Sequence, residues 1–180
     1  MESAIDRVLF TAEELEAKVT ELGEQISKDY QGQQLLVVGI LKGAIIFMSD
    51  LVRKIKTPLT LDFMAVSSYG ASTESSGVVR IMKDLERSID NYHILIVEDI
   101  VDTGLTLKYL LENLRTRGPK SVKVCTLLDK PGRRKVDVHP DYNGFSIPDE
   151  FVVGYGLDYD EQFRHLPYIG ILKPEIYAHR

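Results

Sequence analysis

Apolar residues recur along this chain with two different periods. Leu15, Val19, Leu22 and Ile26 return every three to four positions, the spacing of one helical face, and predict a helix from Thr11 to about Tyr30. Thr11 supplies an N-cap, and Glu14 stands three residues on as its capping-box partner. Gln34 to Ile40 (QLLVVGI) is an almost continuous apolar run, as expected of a parallel strand covered on both faces. A tight connection, Leu41 to Ala44, leads into a second helix running to about Ile55. Leu59 to Val66 and Val78 to Leu85 predict strands. His93 to Ile100 (HILIVEDI) is the most apolar strand and is expected at the centre of the sheet. Leu105 to Arg117 predicts a helix stopped by Gly118-Pro119, and Ser121 to Leu128 another strand.

Strand and helix therefore alternate, which predicts an α/β fold: a central twisted, mainly parallel sheet flanked by helices. With no linker, repeat or low-complexity block, residues 1–180 are expected to form a single domain with its core at about 10–129. The last fifty residues break the alternation. Lys130 to His139 is basic and Pro140 to Pro148 is turn-rich. Phe151 to Gly156 predicts a short apolar strand, and DYDEQFRHLPYIGIL follows. Residues 130–180, joined by residues near the N-terminus, are expected to form a small hood over the sheet's carboxyl edge, where open parallel sheets bind ligands. Ser67 to Gly77 (SSYGASTESSG) is small, polar and glycine-rich and is expected to be a moving loop. Val136 to Asn143 receives no role.

Charge narrows the function. Twenty-two Lys and Arg against 27 Asp and Glu leave −5, which argues against a protein built to grip nucleic acid. The single cysteine, Cys125, lies in the apolar run VKVCTLLD and reads as a buried strand thiol; no internal disulfide can form, as suits the cytoplasm. No stretch approaches the ~18 apolar residues of a membrane span. The N-terminal MESAIDRVLF carries acids and is expected to be no secretory signal. The four histidines, His93, His139, His165 and His179, show no metal-ligand spacing.

Candidate chemistry concentrates in Val97 to Thr106 (VEDIVDTGLT). An apolar strand ends in Glu98-Asp99, and two adjacent carboxylates there are costly unless something binds them. Asp102, Thr103, Gly104 and Thr106 then lead straight into a helix. A helix start offers unpaired backbone N–H groups and a positive dipole end. Two hydroxyls and a glycine at that point make a phosphate cradle. Three carboxylates would repel a phosphate, so the acids are assigned instead to sugar hydroxyls and a water-bridged magnesium ion. The run matches neither GxxxxGK[ST] nor GxGxxG.

VEDIVDTGLT resembles the phosphoribosyl-pyrophosphate signature of the type I phosphoribosyltransferases, and the chain from about residue 8 to 172 resembles their hypoxanthine (hypoxanthine-guanine) branch. The resemblance implies that Glu98 and Asp99 serve the ribose and Mg2+, and that Asp102 is the general base taking a proton from purine N7. It further implies that Glu98, Asp99, Ile100, Asp102, Thr103, Gly104, Leu105 and Thr106 together hold the phosphoribosyl group and its 5′-phosphate. Leu41-Lys42-Gly43 matches a pyrophosphate-binding segment that often contains a non-proline cis peptide, and Arg164 matches an arginine on the same group. Ser68-Tyr69 stands where the family keeps a lid. Lys130 matches a lysine that donates to the purine 6-oxo group; a donor there disfavours adenine, whose exocyclic amine also donates. Phe151 and Val152 match the stacking and edge-reading positions of the purine site, and Asp158, grouped with them, matches an acid that binds a second magnesium ion on the pyrophosphate side.

The implied activity is purine salvage: transfer of the 5-phosphoribosyl group from phosphoribosyl pyrophosphate to a 6-oxopurine base, hypoxanthine and guanine, giving IMP and GMP. The resemblance also implies a homodimer or homotetramer with no nucleic acid or membrane partner. Two rival readings are a same-fold regulatory protein that binds RNA and a phosphoribosyltransferase for another base such as xanthine.

Overall fold

The computed structural model describes residues 2–68 and 79–178. Its main sheet is built from β2 (Leu35–Leu41), β3 (Leu59–Ser68), β4 (Val79–Lys83), β5 (His93–Val101), β6 (Ser121–Asp129) and β7 (Tyr142–Ser146). The strand order is β4-β3-β2-β5-β6-β7, with β5 inside the sheet as its apolar run predicts. All neighbours are parallel except β4, which runs antiparallel to β3.

Helices cover both faces, and the period-2 alternation of the strands sorts their side chains between them. Leu35, Val37, Leu95 and Val97 pack against α1 (Ala12–Asp29) and α2 (Ile45–Val52). Leu36, Val38, Ile94 and Ile96 pack against Leu107, Leu110, Leu111 and Leu114 of α3 (Leu105–Arg115). The helical stripe of α1 is fully used: Leu15, Val19, Leu22 and Ile26 are all buried. Each such burial stabilises by roughly 1.5–3 kcal/mol. Its capping box is complete. The Glu14 amide donates to Thr11 Oγ1 at 3.2 Å, and the Thr11 amide donates to Glu14 Oε2 at 2.8 Å.

Two helices end earlier than their patterns predict. After Val52, Lys54 N donates to Leu51 O and Ile55 N to Val52 O, so the chain tightens into three-residue turns before Ile55. After Arg115 the same tightening occurs, and Gly118 leaves in a left-handed conformation at φ +70°. The larger departure is β7, in a stretch expected to hold turns. Tyr142 and Ile147 are buried at the sheet's edge. Gly144 reads locally as a turn residue, but a Cβ there would lie 2.4 Å from the Leu127 carbonyl oxygen. The glycine permits a close strand approach.

A second, antiparallel sheet of order β1-β9-β8 joins the chain's two ends: β1 (Ile5–Phe10), β9 (Ile169–Leu172) and β8 (Val152–Val153). Ile5 pairs with Leu172, and Val152 with Ile171. Val152, Tyr155, Leu157, Ile169 and Ile171 belong to the same hydrophobic cluster as α1 and α2. A short helix, α4 (Pro174–Tyr177), follows. No helix among the described residues is long and apolar enough to cross a membrane.

Candidate active site

The parallel strands deliver the acidic end of β5 to the carboxyl edge of the sheet. Successive residues point to opposite faces there, which separates Glu98 from Asp99. Asp99 turns toward the β2–α2 connection, where its Oδ1 accepts from the Ile100 amide at 2.8 Å. Gly43 lies directly against it: a Cβ on Gly43 would sit 1.9 Å from Asp99 Oδ2. Glu98 is buried and lines a recess of about 110 Å³ with Ile100, Val101, Asp102, Thr103, Gly104, Thr106 and Leu107. Burial, then the neighbouring Asp99, holds the Glu98 carboxyl well above its ordinary range. Burial also pushes Asp99 up to about 6, against the lowering effect of the Ile100 amide.

Gly104 is the N-cap of α3 at φ +84°, a left-handed conformation that favours glycine. A Cβ there would also meet Arg134 Cδ at 3.0 Å, so that side chain would have to shift. Thr103 Oγ1 accepts weakly from the Leu105 amide at 3.4 Å. The recess therefore opens where a helix start, its dipole and the hydroxyls of Thr103 and Thr106 converge, a chemistry that suits an anion.

Lys130 directly follows β6 and is buried, its amide donating to Val101 O at 2.9 Å. The basic run beyond it wraps the signature turn. Arg134 Nη1 donates to Asp102 O at 2.7 Å, and its Nη2 donates to Asp129. Arg133 Nε donates to Asp102 Oδ1 at 2.6 Å and its Nη1 to Asp149 Oδ2 at 3.1 Å. Lys130 Nζ lies 3.6 Å from Asp149 Oδ1. The proposed base thus carries an arginine counter-ion here.

Leu41–Lys42 is a cis peptide bond. Above it sits the loop after β8, so close that a Cβ on Gly156 would lie 2.3 Å from the Gly43 carbonyl oxygen. Arg164 braces this loop by donating from Nη1 to Gly156 O at 2.7 Å, with Nη2 3.2 Å from Asp158 Oδ1 and 3.3 Å from Glu161 Oε1. Asp158 Oδ2 also accepts from the Glu161 amide. Lys42 Nζ pairs with Glu161 Oε2 at 2.7 Å. Tyr155, Asp160, Glu161 and Phe163 all have positive φ, a concentration of unfavourable backbone beside the site.

Val152 is buried in β8. Phe151 stacks on Tyr177, centroids 4.9 Å apart, and meets Tyr159 edge-on. One face of its ring is therefore already covered. Ser68 ends β3; Tyr69 and the rest of the expected lid lie outside the described residues. A larger cavity of about 570 Å³ lies between α1, α2 and the 164–167 loop, sharing only Arg164 with the residues expected at the site. It has neither the carboxylate pair nor a cradle. No group of three or more His, Cys, Asp or Glu among the described residues has metal-binding geometry.

Three residues at the site went unassigned from the sequence: Arg133, Asp149 and Glu161. Each is an ion partner of an assigned residue. The available signal was charge balance: the acidic signature ends at Thr106 and the basic KPGRRK run begins at Lys130, 24 positions on, while the β5–β6 pairing of Val101 with Asp129 makes the two neighbours in space.

The phosphoribosyl transferase domain family matches residues 9–160. The hypoxanthine-guanine phosphoribosyltransferase of Bacillus subtilis is 55% identical over 177 residues, 98% of each chain. That of Mycobacterium bovis is 56% identical over 179 residues, 96% of this chain and 89% of that protein. A crystal structure of a hypoxanthine phosphoribosyltransferase from Staphylococcus aureus matches with a TM-score of 0.96 at 56% identity, covering 98% of this chain and 96% of that one. Full-length likeness at this level, on a parallel sheet whose central strand ends in a carboxylate pair beside a helix-start recess, makes the chain a member of the phosphoribosyl transferase family, in its hypoxanthine-guanine branch.

Proposed function

We propose that this enzyme works in purine salvage, transferring the 5-phosphoribosyl group from phosphoribosyl pyrophosphate to hypoxanthine and guanine to give IMP and GMP. The observation that carries the reading is the helix-start recess with Glu98 on its wall and the buried Lys130 joined to its rim at Val101. A 5′-phosphate fits the recess at Thr103 to Thr106, and the ribose hydroxyls fall to Glu98 and Asp99. Lys42, Gly43 and Arg164 face the pyrophosphate.

In the transfer, a purine nitrogen forms a bond to the sugar's anomeric carbon as the carbon–oxygen bond to pyrophosphate breaks. Pyrophosphate leaves with the electron pair, and Asp102 takes the proton from N7. Lys130 donates to the 6-oxo group and Phe151 offers a ring to the base. Stacking of this kind is worth roughly 1–3 kcal/mol. Hard carboxylate oxygens at Glu98 and Asp99, unpaired to any cation among the described residues, suit Mg2+, with Asp158 serving a second ion after releasing Arg164. Bound magnesium would supply charge neutralisation to the departing pyrophosphate.

We also propose a cytoplasmic homodimer or homotetramer; the buried, free Cys125 suits a reducing compartment. A spectrophotometric assay with phosphoribosyl pyrophosphate and each of hypoxanthine, guanine, xanthine, adenine and orotate tests the function. Turnover of the first two is expected. Turnover of adenine or orotate in preference to them refutes the assignment, and a leader-RNA gel shift without any turnover favours the regulatory reading.

A further inference from the structure

Four charged side chains form an unbroken alternating chain across the site: Lys130, Asp149, Arg133 and Asp102. The contacts are 3.6 Å from Lys130 Nζ to Asp149, 3.1 Å from Arg133 Nη1 to Asp149, and 2.6 Å from Arg133 Nε to Asp102. A single three-residue turn, Pro131–Arg133, brings this about. It carries the chain from Lys130 back over the signature, so that Arg133 stands above Asp102. Arg134 anchors that turn independently through the Asp102 carbonyl and Asp129. Arg133 can therefore change partners without the turn coming loose.

Each interior member of the chain is shared. Arg133 has one positive charge and two carboxylates; Asp149 has one negative charge and two cations. Drawing one end away strengthens the pair that remains and weakens the pair beyond it. We propose that Asp149 and Arg133 are positioning residues that couple recognition of the 6-oxopurine at Lys130 to release of Asp102 as base. The proposal rests on the roles given above to Lys130 and Asp102.

A bound 6-oxo group accepts from Lys130 and draws it off Asp149. Asp149 then binds Arg133 more fully, and Arg133 gives up Asp102 Oδ1 to the N7 proton. A base with an amine at position 6 cannot accept from Lys130, so it leaves the chain intact and Asp102 engaged. Discrimination then acts on turnover as well as on binding. Arg133, Asp149 and Asp102 are substantially exposed, with side-chain exposures of 44%, 59% and 42%. Exposed pairs are weak, so the coupling is expected to be worth a factor of about two to five.

Steady-state kinetics with hypoxanthine at saturating phosphoribosyl pyrophosphate test this. Asp149→Ala leaves Arg133 with Asp102 as its sole carboxylate, and kcat is expected to fall about threefold to fivefold with KM for phosphoribosyl pyrophosphate unchanged. Asp149→Asn, which keeps the side chain's shape, should show a fall in the same direction. Adding Arg133→Ala to Asp149→Ala should restore turnover, a reversal that a purely structural role would not produce. Unchanged kcat in both Asp149 variants, or a loss that Arg133→Ala does not reverse, overturns the proposal. Asp102→Asn and Lys130→Ala measured alongside separate the two levels. If Asp102→Asn turns over normally, the base assignment fails; if both controls lose function and the Asp149 variants do not, the coupling alone fails.

Discussion

Replacing Gly43 with alanine tests whether the carboxyl end of β5 is a substrate seat whose shape depends on the β2–α2 connection. The added Cβ would sit 1.9 Å from Asp99 Oδ2, where ordinary contact begins at 3.4 Å, so one group must yield by about 1.5 Å. The Gly43 backbone is poorly placed to yield, because the Gly156 loop rests on its carbonyl oxygen. Asp99 must then turn and give up the 2.8 Å bond from the Ile100 amide. A hydrogen bond to a charged group is worth about 1.5–3 kcal/mol. Asp99 is also a carboxylate assigned to the ribose and its metal ion, so most of this cost should appear in substrate binding. A loss of ~1.4 kcal/mol is tenfold, and KM for phosphoribosyl pyrophosphate is expected to rise at least that much. The melting temperature should fall by only a few degrees, about 2–4 °C per kcal/mol for a chain of this size. Paired measurements of steady-state KM and thermal melting decide it. A KM within twofold of the parent refutes the reasoning, as does a collapse of the fold with no separate effect on binding.

Asp102→Asn should cut kcat heavily while phosphoribosyl pyrophosphate still binds by calorimetry; near-normal turnover sinks the base assignment. Lys130→Ala should erode the preference for 6-oxopurines, read as the ratio of kcat/KM for hypoxanthine and adenine; an unchanged ratio removes its proposed role. The carboxylate pair gives a pH signature. Glu98 and Asp99 are both raised in the fold, Asp99 to about 6, so the folded state binds protons more tightly than the unfolded chain. The contribution of Asp99 to stability is then lost as pH rises from the ordinary carboxylate range through about 6, and that of Glu98 as pH rises through its own raised range. Magnesium chloride with phosphoribosyl pyrophosphate should accordingly raise the melting temperature more at pH 7.5 than at pH 5. Equal rises at both pH values count against the pair as the metal seat.

The parts of the fold that the sequence makes legible are those whose signal is local. The α1 stripe and its Thr11–Glu14 box lie within one helix, and β2, β5 and β6 announce themselves by predominantly apolar runs. What is hidden depends on distant partners. β1 carries Asp6 and Arg7 beside Val8 and Leu9, too polar to read as a core strand, and its pairing partner β9 lies at the other end of the chain. β7 is hidden for a different reason. An edge strand needs few apolar residues, and its glycine serves the Leu127 backbone while looking like punctuation.

The site divides along the same line. Residues 98–106 are legible because one strand end and one helix start bring carboxylates, hydroxyls and a glycine into a single run. The basic complement is illegible at the level of the motif because it comes from elsewhere: Arg133 reaches Asp102 across 31 positions, and Lys42 reaches Glu161 across 119. An isolated surface Arg or Glu has no periodic pattern and no turn preference to betray it. Electrostatics still sets a constraint that local pattern does not. A pair of buried acids next to an anion site demands cations nearby, either bound or built in. Here Arg133 and Arg134 meet the signature itself, while Arg164 and Lys42 are held ready by Asp158 and Glu161. Away from Glu98 and Asp99, the cations of the free site are thus paired within it, and a group that binds Lys42, Lys130 or Arg164 must replace an internal ion partner. On the roles proposed for Lys42, Lys130 and Arg164, that exchange makes Asp149 and Glu161, which touch no assigned substrate atom, the partners that an entering anion or carbonyl has to displace.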